Sequence, residues 1–276
     1  MALDIAKRTS AIGADVLGLD LTKALSEADF ASLQSALDEH MVLFLGEHDI
    51  SPAEQRAFAA RFGAIERHPF ARHLDDPEDV GLLDQTEPKR DGANNWHTDS
   101  TFMPTPPSAL VLRAVQLPSL GGDTTWASMV AAYDALSEPL RRALEALTAT
   151  HDVTGPLVRA IQTGHSVGGL DEIQAAWPPI SHPVVCRHPH TGRKLLYVNS
   201  NFTTRIDGVT ERESEMLLRF LFEWIRSPEF QVRFTWRPGS VVLWDNRSTQ
   251  HFAVADYGER RIMHRIQVAG DWSPSA

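Results

Sequence analysis

Two histidines and one aspartate, divided between distant segments, constrain how this chain can fold. His97 and Asp99 form an H-x-D pattern, and His251 lies roughly 150 residues farther along the chain. Side chains two positions apart on a strand or extended loop point to the same side, so His97 and Asp99 can bind one metal ion. The third ligand must come from another segment, and His251 is the candidate. Two imidazoles and a carboxylate are typical of non-haem Fe(II) centres that keep coordination positions open.

Two arginines follow His251 within a short distance. On a strand, Arg261 and Arg265 would share one face with Met263 between them, whereas Arg260 would point the other way. The chain is otherwise acidic, with a formal net charge of −10, so these side chains form a local positive spot that can attract small anions. The spacing therefore predicts a strand that presents two anion-binding side chains to one cavity.

Charge and composition exclude several other classes of protein. A net charge of −10 argues against nucleic acid as a partner, because phosphate backbones recruit basic surfaces. No apolar stretch reaches the length needed to span a membrane, and the first residues lack the apolar block of a signal peptide. The single cysteine, Cys186, cannot form an internal disulfide, which fits a reducing compartment and a buried strand position. We therefore expect a cytoplasmic protein.

Four segments begin with a side chain that can cap a helix. Ser26, Ser51, Ser137 and Thr210 each precede residues with helical spacing or helix-starting chemistry. Ser51 and Thr210 also have a glutamate three residues later, which completes a capping-box pattern. The helices after Ser51 and Ser137 are expected to end near positions 62 and 148.

Short strands account for much of the remaining sequence. Residues 41–45 and 240–244 are apolar runs of strand length, and alternate residues from 232 to 236 are apolar. Many short strands with helices as separate units predict a mainly β fold, an antiparallel sandwich with peripheral helices. Residues 154–180 are weakly patterned, and we interpret them as a lid or loop insertion over the site. With no repeat or linker, residues 1–276 are predicted to form a single domain.

The motifs together resemble one enzyme family. In order along the chain they are NWHTDSTF at 95–102, GGDT at 121–124, WDNR at 244–247 and RRIMHR at 260–265. They resemble the taurine dioxygenase (TauD/TfdA) family of Fe(II)/2-oxoglutarate-dependent dioxygenases, from about Ile12 to Trp272. The resemblance implies a double-stranded β-helix (jelly roll) core. It also implies Fe(II) as cofactor, with 2-oxoglutarate and O2 as co-substrates.

The resemblance assigns roles to individual residues. It implies His97, Asp99 and His251 as the catalytic metal ligands. Thr124 and Arg261 would bind the far carboxylate of 2-oxoglutarate, for which a guanidinium offers two parallel charged hydrogen bonds. In the family's sulfonate-using members, a second arginine binds the anionic head of the substrate, and a histidine from an early H-P motif assists it. The matching residues here are Arg265 and His68.

The resemblance also implies a reaction. The enzyme would convert 2-oxoglutarate to succinate and CO2 while it hydroxylates a small organic anion. Related halogenases lack the carboxylate ligand so that halide can bind iron, and the presence of Asp99 therefore favours hydroxylation. Related enzymes commonly self-associate, so a homo-oligomer, dimer or tetramer, is expected.

Two positions depart from the taurine-using pattern. Ala71 and Ala93 stand where taurine-using members place a tyrosine and an asparagine around the amine end of taurine. A pocket without those polar groups discriminates poorly for an ammonium group and offers more apolar space. Phe202 matches an aromatic wall of the pocket, and Val153 stands where a further aromatic residue is expected. We therefore predict an anionic substrate bulkier than taurine: a sulfonate, a sulfate ester or an aryloxyalkanoate.

Three alternatives remain at this point. A biosynthetic tailoring oxidase of the same family would use the same metal ligands. A cupin-like protein would use an H-x-H pair, which His188 and His190 offer beside a predicted turn. A non-catalytic anion-binding protein with the same fold would not need the intact metal ligands.

Overall fold

The protein is described by a computed structural model over residues 3–68, 71–77, 79–86, 94–162 and 169–276. Within these residues the helices are α1 (Glu27–His40), α2 (Pro52–Ala59), α3 (Met129–Asp134), α4 (Glu138–Glu145), α5 (Thr154–Gln162), α6 (Leu170–Ala176) and α7 (Glu211–Ile225). The strands in the same residues are β1 (Asp4–Lys7), β2 (Ala14–Leu17), β3 (Val42–Glu47), β4 (Ile65–Glu66), β5 (Gly81–Gln85), β6 (Ala109–Gln116), β7 (Thr124–Ser128), β8 (Thr148–His151), β9 (Ile180–Pro183), β10 (Val185–Arg187), β11 (Lys194–Leu196), β12 (Thr203–Ile206), β13 (Gln231–Phe234), β14 (Ser240–Asp245), β15 (Thr249–Ala253) and β16 (Arg261–Val268).

The largest sheet has the strand order β1-β2-β3-β14-β6-β16-β4, with β5 also paired to β16. Its pairings are antiparallel except for that of β2 with β3. Alternate residues of β14 point to opposite faces. Val241 and Leu243 pack with α1 and α2, whereas Val242 and Trp244 pack toward the interior. Burial on both faces explains why the central strands are continuous apolar runs.

A smaller sheet faces the interior side of the large one. In it β7 pairs with β13 on one edge and with β15 on the other. Trp126 on β7 is fully buried and meets Phe44 and Trp244 of the large sheet edge-on, with ring centroids 5.9 and 5.7 Å apart. These rings fill the space between the layers. The predicted mainly β architecture with peripheral helices is therefore confirmed.

The described part of residues 154–180 contains two helices, whereas the sequence pattern indicates a lid or loop. Helices α5 and α6 bury Leu157 and Ile173 in a small apolar cluster that also contains Phe102 and Phe202. They have nine and seven residues, too few to be stable on local propensity alone, so burial in this cluster stabilises them. That this segment acts as a lid stays a prediction.

The predicted helix starts agree with the structure. Ser26, Ser51 and Thr210 cap α1, α2 and α7, and each side chain accepts a backbone N–H. Ser137 precedes α4, but within the described residues its side chain makes no capping hydrogen bond. Helices α2 and α4 end three residues before the predicted positions, and after α4 the chain soon enters β8.

The helices and the single cysteine agree with what the composition predicts. In the part of the chain that the structure describes, no helix combines the length and the apolar character needed to cross a membrane. Cys186 is buried on β10, as its apolar neighbours predict. Burial raises the pKa of its thiol, so this cysteine stays protonated and unreactive.

Candidate metal centre and active site

Three potential metal ligands converge between the two sheets. The backbones of His97 and His251 form an antiparallel bridge, with N···O distances of 3.1 and 2.8 Å, and their ring centroids are 4.2 Å apart. The Asp99 carboxylate lies beside both rings, with Oδ1 3.5 Å from His97 Nε2 and Oδ2 3.8 Å from His251 Nε2. One ligand atom from each residue lies within 4.8 Å of the others. The fold therefore joins the H-x-D segment to the distant histidine.

The protonation states of these side chains suit a divalent cation. Burial lowers the pKa of His251 to about 3, and the neighbouring His97 ring adds to the shift. Burial alone would raise the pKa of Asp99, but His251, His97 and Arg265 outweigh it and hold that pKa well below its ordinary value. A neutral imidazole and an ionised carboxylate are the forms that bind a metal.

Two further observations test whether a metal fits here. His97 Nδ1 lies 2.7 Å from the carbonyl oxygen of Asn95, so Nδ1 carries the proton and Nε2 keeps its lone pair for a ligand bond. Asp99 Oδ2 is buried and has no hydrogen-bond partner among the described residues. A buried carboxylate oxygen without a partner is costly, and a bound cation would satisfy it. The residues therefore fit a divalent metal with nitrogen and oxygen ligands, such as Fe(II).

Asn246 holds the backbone of the metal ligand Asp99 in place, although the WDNR motif by itself indicated no role for this asparagine. Its side-chain Oδ1 accepts the N–H of Asp99, and its Nδ2 donates to the carbonyl oxygens of Asp99 and Pro107, all at 3.0 Å. Ser100, which follows Asp99 in the chain, has a left-handed backbone with φ of +56°, which is strained for a residue other than glycine. The asparagine of the WDNR motif was the available signal, but its partner lies 147 positions away in sequence.

Arg261 and Thr124 line a second part of the interior. Arg261 is only 5% exposed, and its Nε has no hydrogen-bond partner among the described residues. Burial lowers the pKa of this guanidinium, which indicates that an anion would be a favourable partner. Gly122 lies beside the Arg261 side chain and has a φ of +76°, a backbone conformation that favours glycine. Thr124 Oγ1 accepts the indole N–H of Trp236 at 2.9 Å, which leaves the threonine proton to donate.

Arg265 lies beside the metal ligands, and its charge acts on the neighbouring His68 ring. Arg265 Nη1 is 3.7 Å from Asp99 Oδ1, and its side chain is 14% exposed. Met263, between the two arginines on β16, is fully buried in the interior core, whereas Ile266 packs toward the helices. Burial lowers the pKa of His68 to about 3, and the positive charge of Arg265 adds to the shift. A neutral imidazole can donate one hydrogen bond to an anion beside the guanidinium.

The remaining predicted pocket residues are Phe202, Ala71 and Ala93, and the structure describes the positions of the first two. The Phe202 ring lies 5.2 Å from the ring of Phe102. Phe102 directly follows residues 97–101, the metal-ligand loop, which carries His97 and Asp99. Ala71 is partly buried, its N–H donates to the carbonyl oxygen of His68 at 3.5 Å, and it lines a surface cavity of about 690 Å³. Ala93 lies outside the described residues.

A second histidine–carboxylate cluster has the composition of a metal site but not its chemistry. It consists of Asp38, His188 and Asp245. His188 Nδ1 accepts the backbone N–H of Thr191, so Nε2 carries the proton and donates to Asp245 at 2.9 Å. Arg247 Nε and Nη2 also donate to Oδ2 of Asp245, at 3.2 and 2.6 Å.

The same cluster bears on the cupin-like alternative. His190 contacts Asp38 at 3.1 Å, and His188 contacts Asp245. Each histidine of the H-x-H pair therefore contacts a carboxylate, His188 in the buried ion network and His190 at an exposed position, and neither joins His97 and His251. This arrangement removes the structural basis for a cupin-type metal site at this pair.

Comparison with known proteins agrees with this geometry. An alkylsulfatase of Acinetobacter baylyi is 37% identical over 99% of this chain and 87% of its own length. A protein described as (S)-phenoxypropionate/alpha-ketoglutarate-dioxygenase, from Sphingobium herbicidovorans, is 35% identical over 98% of this chain and 96% of its own. The crystal structure of AAD-2 in complex with Mn(II) and N-oxalylglycine has a TM-score of 0.83 at 32% identity and covers 100% of both chains.

These similarities establish the fold and the reaction type. The core is the jelly roll that the resemblance implied. The enzyme is a 2-oxoglutarate-dependent dioxygenase that uses Fe(II), 2-oxoglutarate and O2. A family model described as taurine catabolism dioxygenase TauD, TfdA family matches residues 4–267. The chain therefore belongs to the TauD/TfdA family of Fe(II)- and 2-oxoglutarate-dependent dioxygenases.

Proposed function

We propose that His97, Asp99 and His251 bind Fe(II) and that the enzyme oxidises an alkyl sulfate ester or alkanesulfonate with a tail larger than that of taurine. The observation that carries the metal assignment is the buried cluster of three ligand atoms within 4.8 Å, in which Asp99 Oδ2 lacks a partner among the described residues. When bound, iron with 2-oxoglutarate and O2 supplies the oxidant for a C–H bond, and 2-oxoglutarate becomes succinate and CO2.

The protein's own residues bind and orient the two organic molecules. Arg261 forms paired charged hydrogen bonds with the far carboxylate of 2-oxoglutarate, and the Thr124 hydroxyl donates a third. Both groups are buried, so water does not compete with these bonds. These two side chains would thereby fix one end of the co-substrate.

Arg265 and His68 bind the anionic head of the substrate. The guanidinium and the neutral imidazole both donate hydrogen bonds, which suits a group with several equivalent oxygens such as sulfate or sulfonate. Because Arg265 lies 3.7 Å from Asp99, the anion is held beside the metal ligands. The carbon next to the anion is therefore the one exposed to oxidation.

The nature of the product follows from that position. A hydroxyl group added to the carbon that carries a sulfate ester oxygen gives a hemiacetal-like ester. This collapses to an aldehyde and releases sulfate, with the hydroxyl proton lost to solvent. The similarity to an alkylsulfatase supports this substrate class.

Two other substrates fit part of the same chemistry. An aryloxyalkanoate carries a carboxylate for Arg265 and an ether oxygen on the oxidised carbon, and the similarity to a phenoxypropionate dioxygenase favours it. A biosynthetic tailoring reaction would use the same metal ligands on another anion. Phe202 packs in an apolar cluster with Phe102, Val153 and Leu157, which favours an apolar tail in each case.

The first experiment measures succinate formation by the Fe(II)-loaded protein with 2-oxoglutarate and O2. Taurine, a long-chain alkanesulfonate, an alkyl sulfate and a phenoxyacetate are compared with a reaction that lacks any of them. We expect the alkyl sulfate or alkanesulfonate to stimulate succinate formation more than taurine. Stimulation by phenoxyacetate alone would replace the substrate assignment. Background turnover that none of the anions increases would place the substrate outside this set.

We also propose a cytoplasmic homo-oligomer, dimer or tetramer. The location rests on the single buried cysteine, since such a chain needs no oxidising compartment. Light scattering coupled to size-exclusion chromatography tests the assembly: a mass of one chain at micromolar concentration would contradict it.

A further inference from the structure

One buried asparagine connects the loop that carries the metal ligands to the aromatic wall of the substrate pocket. Asn199 lies after β11 and is 1% exposed. Its side-chain Oδ1 accepts the backbone N–H groups of Asn201 at 3.1 Å and Phe202 at 3.0 Å. Its Nδ2 donates to Thr101 Oγ1 at 2.9 Å. Thr101 is two residues beyond Asp99, so a single side chain links two segments 98 positions apart.

The groups around this link satisfy one another. The Thr101 hydroxyl accepts from Asn199, so its own proton can be donated to His151 Nδ1 at 2.9 Å. The backbone N–H of Asn199 donates to Thr203 Oγ1 at 2.9 Å. Thr101 and His151 are fully buried, and Thr203 is 7% exposed. A buried network in which each of these groups has a partner is rigid, because breaking any bond leaves a polar group without water.

Phe202 is held on both sides of its backbone. Its N–H donates to Asn199, and its carbonyl oxygen accepts the N–H of Asp152 at 2.8 Å. Its ring packs against Phe102, which follows Thr101 directly. The position of this ring relative to the metal ligands therefore depends on the Asn199 bridge.

We propose that Asn199 is a positioning residue that holds Phe202 at a fixed distance from the metal-ligand loop, so that the substrate tail is aligned for oxidation. This role rests on the proposed function, in which Phe202 lines the substrate pocket. Arg261 and Thr124 belong to other elements, β16 and β7, so binding of 2-oxoglutarate does not depend on the bridge. Loss of the bridge therefore affects the substrate and 2-oxoglutarate differently.

The test compares Asn199→Ala with wild type in the Fe(II)-loaded enzyme, with hexyl sulfate as the substrate. We expect the KM for hexyl sulfate to rise about tenfold, as misplacement of a positioning group implies. The KM for 2-oxoglutarate should change by less than about twofold. More succinate should form per molecule of aldehyde, because a misaligned substrate is oxidised less often per turnover.

Two conservative variants separate positioning from general destabilisation. Asn199→Asp keeps an oxygen that accepts both N–H groups, and its second oxygen can accept the Thr101 hydroxyl proton in place of the lost Nδ2 donation. Its KM for hexyl sulfate should therefore stay close to that of wild type. Thr101→Val keeps the side-chain shape but removes the hydroxyl, so it should raise that KM in the same direction as Asn199→Ala. Thr210→Ala, at the cap of α7, serves as a control that lowers stability away from the site. If Asn199→Ala does not fold, Thr101→Val and Asn199→Asp decide the question.

A measurement without turnover completes the test. Amide hydrogen exchange of a peptide that contains Phe202 should be faster in folded Asn199→Ala than in wild type. Unchanged exchange, an unchanged KM for hexyl sulfate, or an equal rise in both KM values would overturn the proposal. Failure of wild type to oxidise any of the tested anions would instead refute the proposed function, and this role with it.

Discussion

Identical residue types have different roles in this protein because their surroundings differ. Arg260 and Arg261 are neighbours in sequence and point to opposite sides of the chain. Arg260 is exposed and forms two bonds with Asp84, at 2.8 and 2.6 Å, which contribute little in water. Arg261 is buried, and its Nε has no partner among the described residues. Only the buried guanidinium has the surroundings to bind a co-substrate tightly.

This contrast provides a matched pair of variants. Arg261→Lys loses the paired geometry and should raise the KM for 2-oxoglutarate roughly tenfold to a hundredfold, the cost of one charged hydrogen bond. Arg260→Lys keeps the charge at the exposed site and should leave that KM unchanged. Steady-state kinetics with varied 2-oxoglutarate measure both. Equal effects in the two variants would contradict the role of Arg261.

The two histidine clusters provide a second pair. His97→Gln removes a proposed metal ligand and should abolish most iron binding and succinate formation. His188→Gln alters the buried ion network and should keep its iron in the fraction that folds. Iron content per folded chain, measured after removal of loosely bound metal, distinguishes them. Retention of iron by His97→Gln would remove this residue from the ligand set.

The size of the pocket can be tested at the two alanine positions. Ala71→Tyr together with Ala93→Asn restores the polar groups of the taurine-using pattern, so taurine turnover relative to hexyl sulfate should rise. The measurement is succinate formation with each substrate at equal concentration. If taurine turnover does not increase, the interpretation of these two positions is wrong.

Among the structural elements, the helices differ in how much local sequence stabilises them. Helix α7 begins with a complete capping box, in which Thr210 and Glu213 exchange hydrogen bonds. In the described residues α6 has no side-chain cap, and both α5 and α6 pack in the apolar cluster with Phe102 and Phe202. The local sequence therefore predicts where α7 begins. It does not predict α5 and α6, because these helices are stabilised by packing against distant residues.

The capping difference leads to a prediction about stability. Thr210→Ala should lower the free energy of unfolding by about 1 kcal/mol, because the N–H groups in the first turn lose their acceptor. Ser137→Ala is the control, since in the described residues Ser137 caps α4 without a side-chain hydrogen bond. Chemical denaturation of both variants measures the effect. Equal losses would show that the capping bond is not its cause.

The molecule as a whole buries several histidines in their neutral form. Burial lowers the pKa of His151 to about 3, and the neighbouring His182 adds to the shift. Burial also lowers the pKa of His182. In the unfolded chain both rings would titrate near 6.5. Between about pH 3 and 6.5 the unfolded state therefore binds more protons, and the stability of the fold decreases as the pH falls through this range.

This relation predicts a loss of stability under mild acid. At pH 5.5, one unit below the unfolded pKa, His151 should reduce the free energy of unfolding by about 1.4 kcal/mol relative to pH 7.5. Carboxyl groups contribute little to the difference between pH 5.5 and pH 7.5, because their unfolded pKa values lie near 4. Urea unfolding of the metal-free protein at both values measures the change. His151→Gln should show a smaller dependence on pH, and an unchanged dependence would contradict the assignment.

Residue types and their spacing are enough to predict the chemistry and much of the architecture. The H-x-D pattern, the distant histidine and the arginines four apart are properties of residue type and spacing, and they predict a metal and an anion on a mainly β scaffold. Capping residues predict where helices begin, because those hydrogen bonds form within one turn. Such information is local, so it can be extracted from the chain alone.

The residues that support the site are identified by contacts that exist in the folded chain alone. Asn246 contacts Asp99 across 147 positions, and Asn199 contacts Thr101 across 98. Helices α5 and α6 replace an expected loop because their apolar side chains find Phe102 and Phe202 in the folded molecule. These contacts leave no periodic pattern, since each partner alone is an ordinary buried or polar residue. The free energy that fixes them comes from burial, which exists only after the distant segments have come together.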